Sequence, residues 1–429
     1  MNKILIIVIN FLLFSSLWAQ ENLKFYLNIA IENNLQLNAE RKNLESAKQN
    51  KKVLRSEFLP SVTISGDQTS TTTTNRTDQS GSSLSDTNLD TENTTISFEQ
   101  KLFSGFKGIN TFKKSELETQ KAKLRLQSAE QKTVLDTAKA YFDLIYKTKN
   151  EKFNLSNVNL LERQVESDKA RLQKGEITLT DLAQSESSLA GANADLIKAK
   201  TELLSSKTHF ERITGKKILE TKNLSEKVVL DIPKSLNSSL TLSKLKNINL
   251  LISTIEYEIA IKELNIERAR LSPSASIKVS KSESEDFSST VDKKDDETIQ
   301  ATITWPIIKG GENISSIKKS AFDKERAQLL LKDTKNKITT EISNSWSKYQ
   351  SSKSVLDATK AQLKAAEIAN EGITLEYDSG IDRTTLELIQ SRALLLDARI
   401  AFAKSERDFV VSQFELLRQI GVLSQESVK

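Results

Sequence analysis

From Thr111 to Arg171 the chain contains neither proline nor glycine and is rich in Lys, Glu, Ala, Leu and Gln. About 60 residues of helix at 1.5 Å per residue would span roughly 90 Å. No helix of that length buries itself in one globular core, so it must lie beside others. A second such run starts near Gly311 and continues to Leu375 with almost no breakers. Each run ends in a short break. One lies in Leu375–Gln390, where Gly380 can end a helix and Asp382 or Thr384 can cap the next. The other, about 205 residues earlier, lies in Ala170–Gln184 around Gly175. Two matching tips in one chain indicate an internal duplication.

The helix after each tip shows how these runs pack. In the first, Leu182, Ser185, Leu189, Ala192, Leu196, Ala199, Leu203, Ser206, Phe210 and Ile213 recur at a three–four spacing, large alternating with small. Leu388, Ser391, Leu395, Ala398, Phe402, Ser405, Phe409, Ser412 and Leu416 are the counterparts in the second. A further stripe there, Leu386, Ile389, Ala393, Leu396, Ile400 and Ala403, lies about 200° around the helix. A helix with seams on opposite sides has two neighbours, as in a wall, and a closed wall is a tube.

All four prolines mark boundaries: Pro60 and Pro273 follow helical runs and open Ser/Thr-rich segments, Pro306 closes one, and Pro233 lies in a linker. Around them the two halves run in parallel. Repeat 1, 20–232, opens with a helical segment Leu23–Glu57 carrying Asn34-Leu-Gln-Leu37; repeat 2, 233–429, opens with one carrying Asn247-Ile-Asn-Leu250. A strand pair follows in each, at about 61–103 and about 274–307. Val62 and Ile64, then Ile96 and Phe98, alternate with polar residues. So do Ala275, Ile277 and Val279, then Ile299, Ala301, Ile303 and Trp305. Period-two alternation gives one apolar and one polar face. Between the paired strands Thr69–Glu92 and the acidic Lys281–Glu297 have no apolar period. They read as polar insertions or as exposed hairpin loops. The tips fall at about 172–181 and about 377–387, and a short tail closes repeat 2.

The rest of the composition excludes more than it asserts. Lys3, an apolar run Ile4–Trp18 and Ala19 make residues 1–19 a signal peptide, so the chain is exported. No other stretch approaches the ~20 apolar residues of a membrane helix. There is no cysteine, and His209 is the only histidine. With no phosphate-binding glycine loop either, an enzyme, a metal site or a cofactor site is not expected. A net charge of +5 spread over 62 basic and 57 acidic residues describes solvated helix faces rather than a nucleic-acid footprint.

Four strands are too few to close a membrane barrel, which needs at least about eight. If their apolar faces meet lipid, several chains share one barrel, with Trp305 and Phe103 at the corners where an aromatic girdle belongs. The alternative is a soluble sandwich packed on helices.

The order of elements, the corners Lys101-Leu-Phe-Ser-Gly-Phe106 and Pro306-Ile-Ile-Lys-Gly-Gly311, and the tips Leu172–Leu182 and Tyr377–Leu388 together resemble the TolC-type outer-membrane efflux proteins, the outer membrane factors. The resemblance implies a mainly α fold with membrane β-structure. Each homotrimer would have a twelve-stranded barrel in the outer-membrane lipid and a twelve-helix tunnel in the periplasm. Leu23–Glu57, Ile213–Ser243 and the residues after Gly421 would form a belt around the tunnel. Such ducts work with a periplasmic adaptor (a membrane fusion protein) and an inner-membrane transporter of RND or ABC type, in tripartite efflux or type I secretion. Carried over by position, Tyr377 and Arg383 on one hairpin and Thr180 and Asp181 on the other would be gate links; ordinary capping by Thr180 and Asp181 is the competing reading. Glu387 would face the pore constriction, with Gln390 where a second acid is expected, which weakens an acidic ring. Gly175 and Gly380 would shape the adaptor-contacting tips. A periplasmic coiled-coil spacer is the alternative function. The cargo stays open.

Overall fold

The computed structural model describes residues 22–218, 224–288, 290–379 and 383–428. The signal-peptide segment and Gly380 lie outside these residues. The helices and strands, in order, are α1 Leu23–Asn33, α2 Leu35–Arg55, β1 Ser61–Thr73, β2 Arg76–Thr77, β3 Ser83–Leu84, β4 Thr87–Ser104, α3 Lys107–Gln173 and α4 Leu179–Thr214. Then come α5 Leu236–Lys246, α6 Ile248–Arg268, β5 Ser274–Ser288, β6 Val291–Thr304, α7 Glu312–Asp378 and α8 Thr385–Ile420. Corresponding helices of the two halves have equal lengths: 11 residues for α1 and α5, 21 for α2 and α6, 67 for α3 and α7, 36 for α4 and α8. Among the described residues no helix is long and apolar enough to cross a membrane.

The chain forms two units, each drawn from both halves. The first comprises the residues up to Asn38, Ala129–Asn247 and those from Thr339. Its core joins Tyr26 and Leu27 of α1, Val134, Tyr141 and Leu144 of α3, Phe210 of α4 and Phe414 and Leu417 of α8. Tyr26 meets Phe210 edge-on at 5.0 Å. Most of the three–four seam of α4 and α8 is buried, as its large–small alternation requires. Across α7 and α8 hydroxyls meet at Ser352–Ser412, 2.8 Å, and Thr359–Ser405, 2.7 Å.

Leu23–Glu57 is not one helix. Asn34 breaks it with an extended ψ of 116°. Its side chain accepts from the Leu37 N–H at 3.0 Å and donates to the Ile213 carbonyl at the end of α4, 3.3 Å. Asn247 does the same work in the second half, donating to the Gln419 carbonyl at the end of α8, 2.7 Å. A short polar side chain that bonds nearby backbone competes with the helix.

The second unit comprises Ala39–Ser128 and Ile248–Ile338. It holds an antiparallel sheet ordered β1-β4-β5-β6. Val62, Phe98, Val279 and Ile299 are directly opposed across all four strands, and every one is exposed. Lys114–Glu263, 2.8 Å, and Lys51–Glu116, 2.9 Å, tie the helices α6 and α2 to α3.

Much of the two polar tracts is strand. β5 and β6 run through Lys281–Glu297 to Ser288 and from Val291, and β1 and β4 reach Thr73 and Thr87. Cross-strand polar pairs take over where apolar alternation ends: Lys293 to Glu285 at 2.5 Å, Thr72 to Asn88 at 3.0 Å.

At both strand-to-helix corners two consecutive residues have positive φ: Gly105 (62°) with Phe106 (65°), and Gly310 (53°) with Gly311 (82°). A Cβ on Gly105 would lie 2.5 Å from the Ser272 Cβ and 2.7 Å from the Ala269 carbonyl oxygen. Gly105→Ala therefore combines left-handed strain with a backbone collision. It should lower unfolding stability by about 2 kcal/mol or more, read as an earlier thermal unfolding transition of the reconstituted protein.

Candidate functional site

The tips are built by two capping boxes at equivalent places. In the first, α3 closes through Gly175, whose N–H reaches the Leu172 carbonyl at 2.9 Å. Thr178 then caps α4. The Asp181 carboxylate accepts from the Thr178 N–H at 2.9 Å and its hydroxyl at 2.7 Å, while the Asp181 N–H is donated to the Thr178 oxygen at 3.3 Å. In the second, Thr384 caps α8. Glu387 accepts from the Thr384 N–H at 2.9 Å and its hydroxyl at 3.1 Å, and returns its own N–H at 3.2 Å. Thr-x-x-Asp and Thr-x-x-Glu are the sequence form of this reciprocal cap.

Thr180 and Gln390 are exposed, while Asp181 and Glu387 are partly exposed. Arg383 stays on its own hairpin, donating to Glu376 at 2.6 Å and to Glu387 at 3.2 Å. The hydrogen bond to Glu376, followed by its charge, raises the Arg383 pKa above the ordinary value. Within the chain, then, Glu387 serves as both a cap and the partner of an arginine.

Tyr377 is joined to a different set of residues. Its hydroxyl accepts from Arg171 Nη1 at 2.5 Å and from Gln164 Nε2 at 3.3 Å, and donates to Asp168 Oδ1 at 3.4 Å. Thr385 Oγ1 stands 3.2 Å away. The Arg171 guanidinium also lies over the ring, 5.0 Å from its centre. Asp168 has no exposed surface. It accepts from the Ser185 hydroxyl at 2.5 Å and from Gln164 at 2.9 Å, and Gln164 in turn accepts from Arg392 at 3.1 Å. Burial pulls the Arg392 guanidinium below its ordinary pKa, against the charges of Asp378 and Asp168.

A buried carboxylate is expensive unless its lone pairs are filled. Here α3, α4 and α7 fill them, and two arginines reach the carboxylate through Gln164 and Tyr377. Sequence reasoning missed Gln164, Asp168, Arg171, Ser185, Thr385 and Arg392. One signal was present: Gln164, Asp168 and Arg171 share a helix face with Leu161, so polar residues interrupt an apolar stripe.

The remaining predicted residues lie in the second unit. Trp305 is exposed and donates its indole N–H to the Leu271 carbonyl at 3.0 Å, and Phe103 is exposed beside Phe106. Among the described residues no group of His, Cys, Asp or Glu is arranged to hold a metal.

A four-stranded sheet with an exposed apolar row, two open edges, and paired helices of 67 and 36 residues repeated in each half is the protomer architecture of TolC-like outer-membrane channels. The chain belongs to the outer membrane efflux protein family, whose model matches residues 26–216 and 243–422. The outer membrane efflux protein BepC of Brucella suis biovar 1 is 25% identical over 405 residues, covering 93% of this chain and 85% of that one. The outer membrane protein TolC of Vibrio cholerae serotype O1 is 24% identical over 426 residues, covering 96% and 93%. The solved structure of the Campylobacter jejuni CmeC outer membrane channel superposes with a TM-score of 0.83 at 18% identity, over 94% of this chain and 87% of that one. The fold is thus TolC-like and the protein's place is the outer membrane.

The caps carry a pH signature. The Thr178 hydroxyl, then its N–H, holds Asp181 below its ordinary 3.8; the Thr384 N–H, then its hydroxyl, holds Glu387 below its ordinary 4.5. Because the folded values are the lower ones, the caps stabilise fully above the ordinary values and fail as pH falls through the depressed ones. Hydrogen-exchange protection should therefore drop as the pH falls below the ordinary 4.5 at Leu388 and below the ordinary 3.8 at Leu182, while the helix middles keep theirs.

Proposed function

We propose that this chain is the outer-membrane duct of a tripartite efflux or type I secretion system, acting as a homotrimer gated at its helical tips. The open edges of the sheet carry the reading. β1 and β6, 13 and 14 residues long, are both edge strands. A strand of about 9–11 residues crosses a bilayer, where an unpaired edge is not tolerated. Three copies placed edge to edge make twelve strands, above the minimum of about eight for closure. The exposed row of Val62, Phe98, Val279 and Ile299 then faces lipid, with Trp305 and Phe103 at its margin. The paired long helices would extend into the periplasm. The similar BepC is an outer membrane efflux protein and the similar CmeC an outer membrane channel, which supports the same class.

At the tips, Tyr377 with Arg171 and Asp168 forms the latch, and Arg383, Asp181 and Thr180 add polar links. Glu387, with Gln390 one turn on, lines the constriction. The hairpin ends around Gly175 and Gly380 meet a periplasmic adaptor, which couples the duct to an inner-membrane transporter of RND or ABC type. A periplasmic spacer would have no use for a lipid-facing strand row.

Two measurements test this. The protein extracted from outer membranes in detergent should run as a heat-sensitive trimer; a monomer that needs no detergent would instead describe a spacer. In planar bilayers the variant Tyr377→Phe with Arg383→Ser should conduct several-fold more than the parent, as the first change takes the hydroxyl from the latch with Arg171 and Asp168 and the second removes a further polar link. Unchanged conductance would remove the gate role.

A further inference from the structure

A cavity of about 770 Å³ lies in the second unit where the sheet meets the helix starts. Its volume falls within the ~300–1,000 Å³ of ordinary ligand sites. Glu99, Lys101, Thr302 and Thr304 line it, and these alternate with the apolar row of Phe98 and Ile303. The cavity is thus formed largely on the polar face of the sheet, away from the face assigned to lipid. Phe58 and Phe106 supply aromatic wall on the helix side, while Phe103, opposite Ala275 past the bulge and so on the face of the apolar row, borders the cavity at its margin.

Phe106 is held in the left-handed region at φ 65°. For an aromatic residue such a backbone costs about 1–3 kcal/mol. The matching place in the second corner is Gly311, which adopts φ 82° without a side-chain clash. The backbone therefore favours glycine at 106. Burial does not offset the strain, since Phe106 is 61% exposed. Its ring meets Phe103 edge-on at 5.5 Å and otherwise stands at the cavity wall. Neither burial nor backbone geometry accounts for an aromatic side chain at this position.

Charge completes the description. Lys101, Lys107, Arg270 and Lys309 line the cavity against the carboxylates Glu57 and Glu99. Arg270 is engaged by Glu267 and Glu312, whereas among the described residues no ion-pair partner occupies the three lysines. Aromatic wall beside free ammonium groups matches a molecule with an apolar body and one anionic head.

We propose that this corner cavity binds an amphiphilic anion on the water side of the sheet, as cargo in transit. The assignment rests on the duct reading above, in which the polar face is the lumen. It makes Phe106 and the lysines specificity residues rather than parts of the gate.

The test is calorimetric titration of decanoate into the trimer reconstituted in phosphatidylcholine nanodiscs, with empty nanodiscs subtracted. The wild type should bind decanoate, and decyltrimethylammonium at least about tenfold more weakly. Phe106→Gly relieves strain and so keeps the fold; it should lose about tenfold in decanoate affinity, with trimer and conductance unchanged. Lys101→Gln with Lys107→Gln and Lys309→Gln should erase the preference for the anion. Equal binding by wild type and Phe106→Gly, or no charge preference in the wild type, would overturn the site while leaving the duct intact. Loss of the decanoate signal in phosphatidylglycerol nanodiscs would name a lipid headgroup as occupant and overturn the cargo assignment. A chain that forms neither trimers nor channels would remove the duct reading itself.

Discussion

Backbone amides inside a bilayer have no water to bond, so every strand edge there must find a partner. In the proposed duct that requirement governs this molecule. Four strands satisfy their inner edges through continuous antiparallel pairing from β1 to β6 and leave two long outer edges. A soluble protein would blunt such edges with short strands, prolines or inward charges. Here the lower parts of β1 and β6 carry Val62 and Ile64, and Ile299 and Ile303, all more than two-thirds exposed. The edges are kept pairable, and the proposed trimer follows from them more directly than from any helix.

The tips obey a different constraint. A helix start exposes N–H groups, and a carboxylate three residues in can satisfy them. Asp181 and Glu387 are committed in this way, each accepting both the N–H and the hydroxyl of its threonine. A capped carboxylate can still accept from an arginine, as Glu387 does from Arg383. Capping and gating are thus compatible demands on one side chain. The buried anchor is elsewhere, at Asp168, where hydroxyl and amide donors replace water around a charge.

How much of this was legible depends on the range of the interaction. The long helices, the large–small seams and the strands Ile299–Trp305 and Ala275–Val279 can be read from periodicity, because burial or lipid contact imposes the period. The outer halves of β5 and β6 could not, since strands solvated on both faces have no apolar period to show. Lys293 opposite Glu285 becomes a signal only once the register is known. The break at Asn34 was hidden for the same reason: its partner, the Ile213 carbonyl, is 179 residues away. The cap of α4 is local, yet it is not the expected pair Thr180 and Asp181: Thr178 is the cap and Asp181 its partner. The contact of Tyr377 with Asp168, by contrast, spans 209 residues.

The two halves also act as controls for one another. Their helices agree in length pair by pair, so the backbone makes the same demands twice. Where residues at matched places agree, as Asn34 and Asn247 do, a shared backbone need is sufficient explanation. Where they differ, the backbone is not the reason. Counting back from Gly175 and Gly380, Tyr377 stands opposite Leu172 and Arg171 opposite Glu376. One hairpin thus contributes a hydroxyl where the other has only a hydrocarbon, and that hydroxyl touches Arg171, Gln164 and Asp168 of its partner. Phe106 opposite Gly311 is the same kind of departure at the other end of the long helix, made against the backbone's preference. A duplicated duct needs its halves alike to build a wall. In the proposed duct it needs them unlike at the few places assigned to the latch and to the corner cavity.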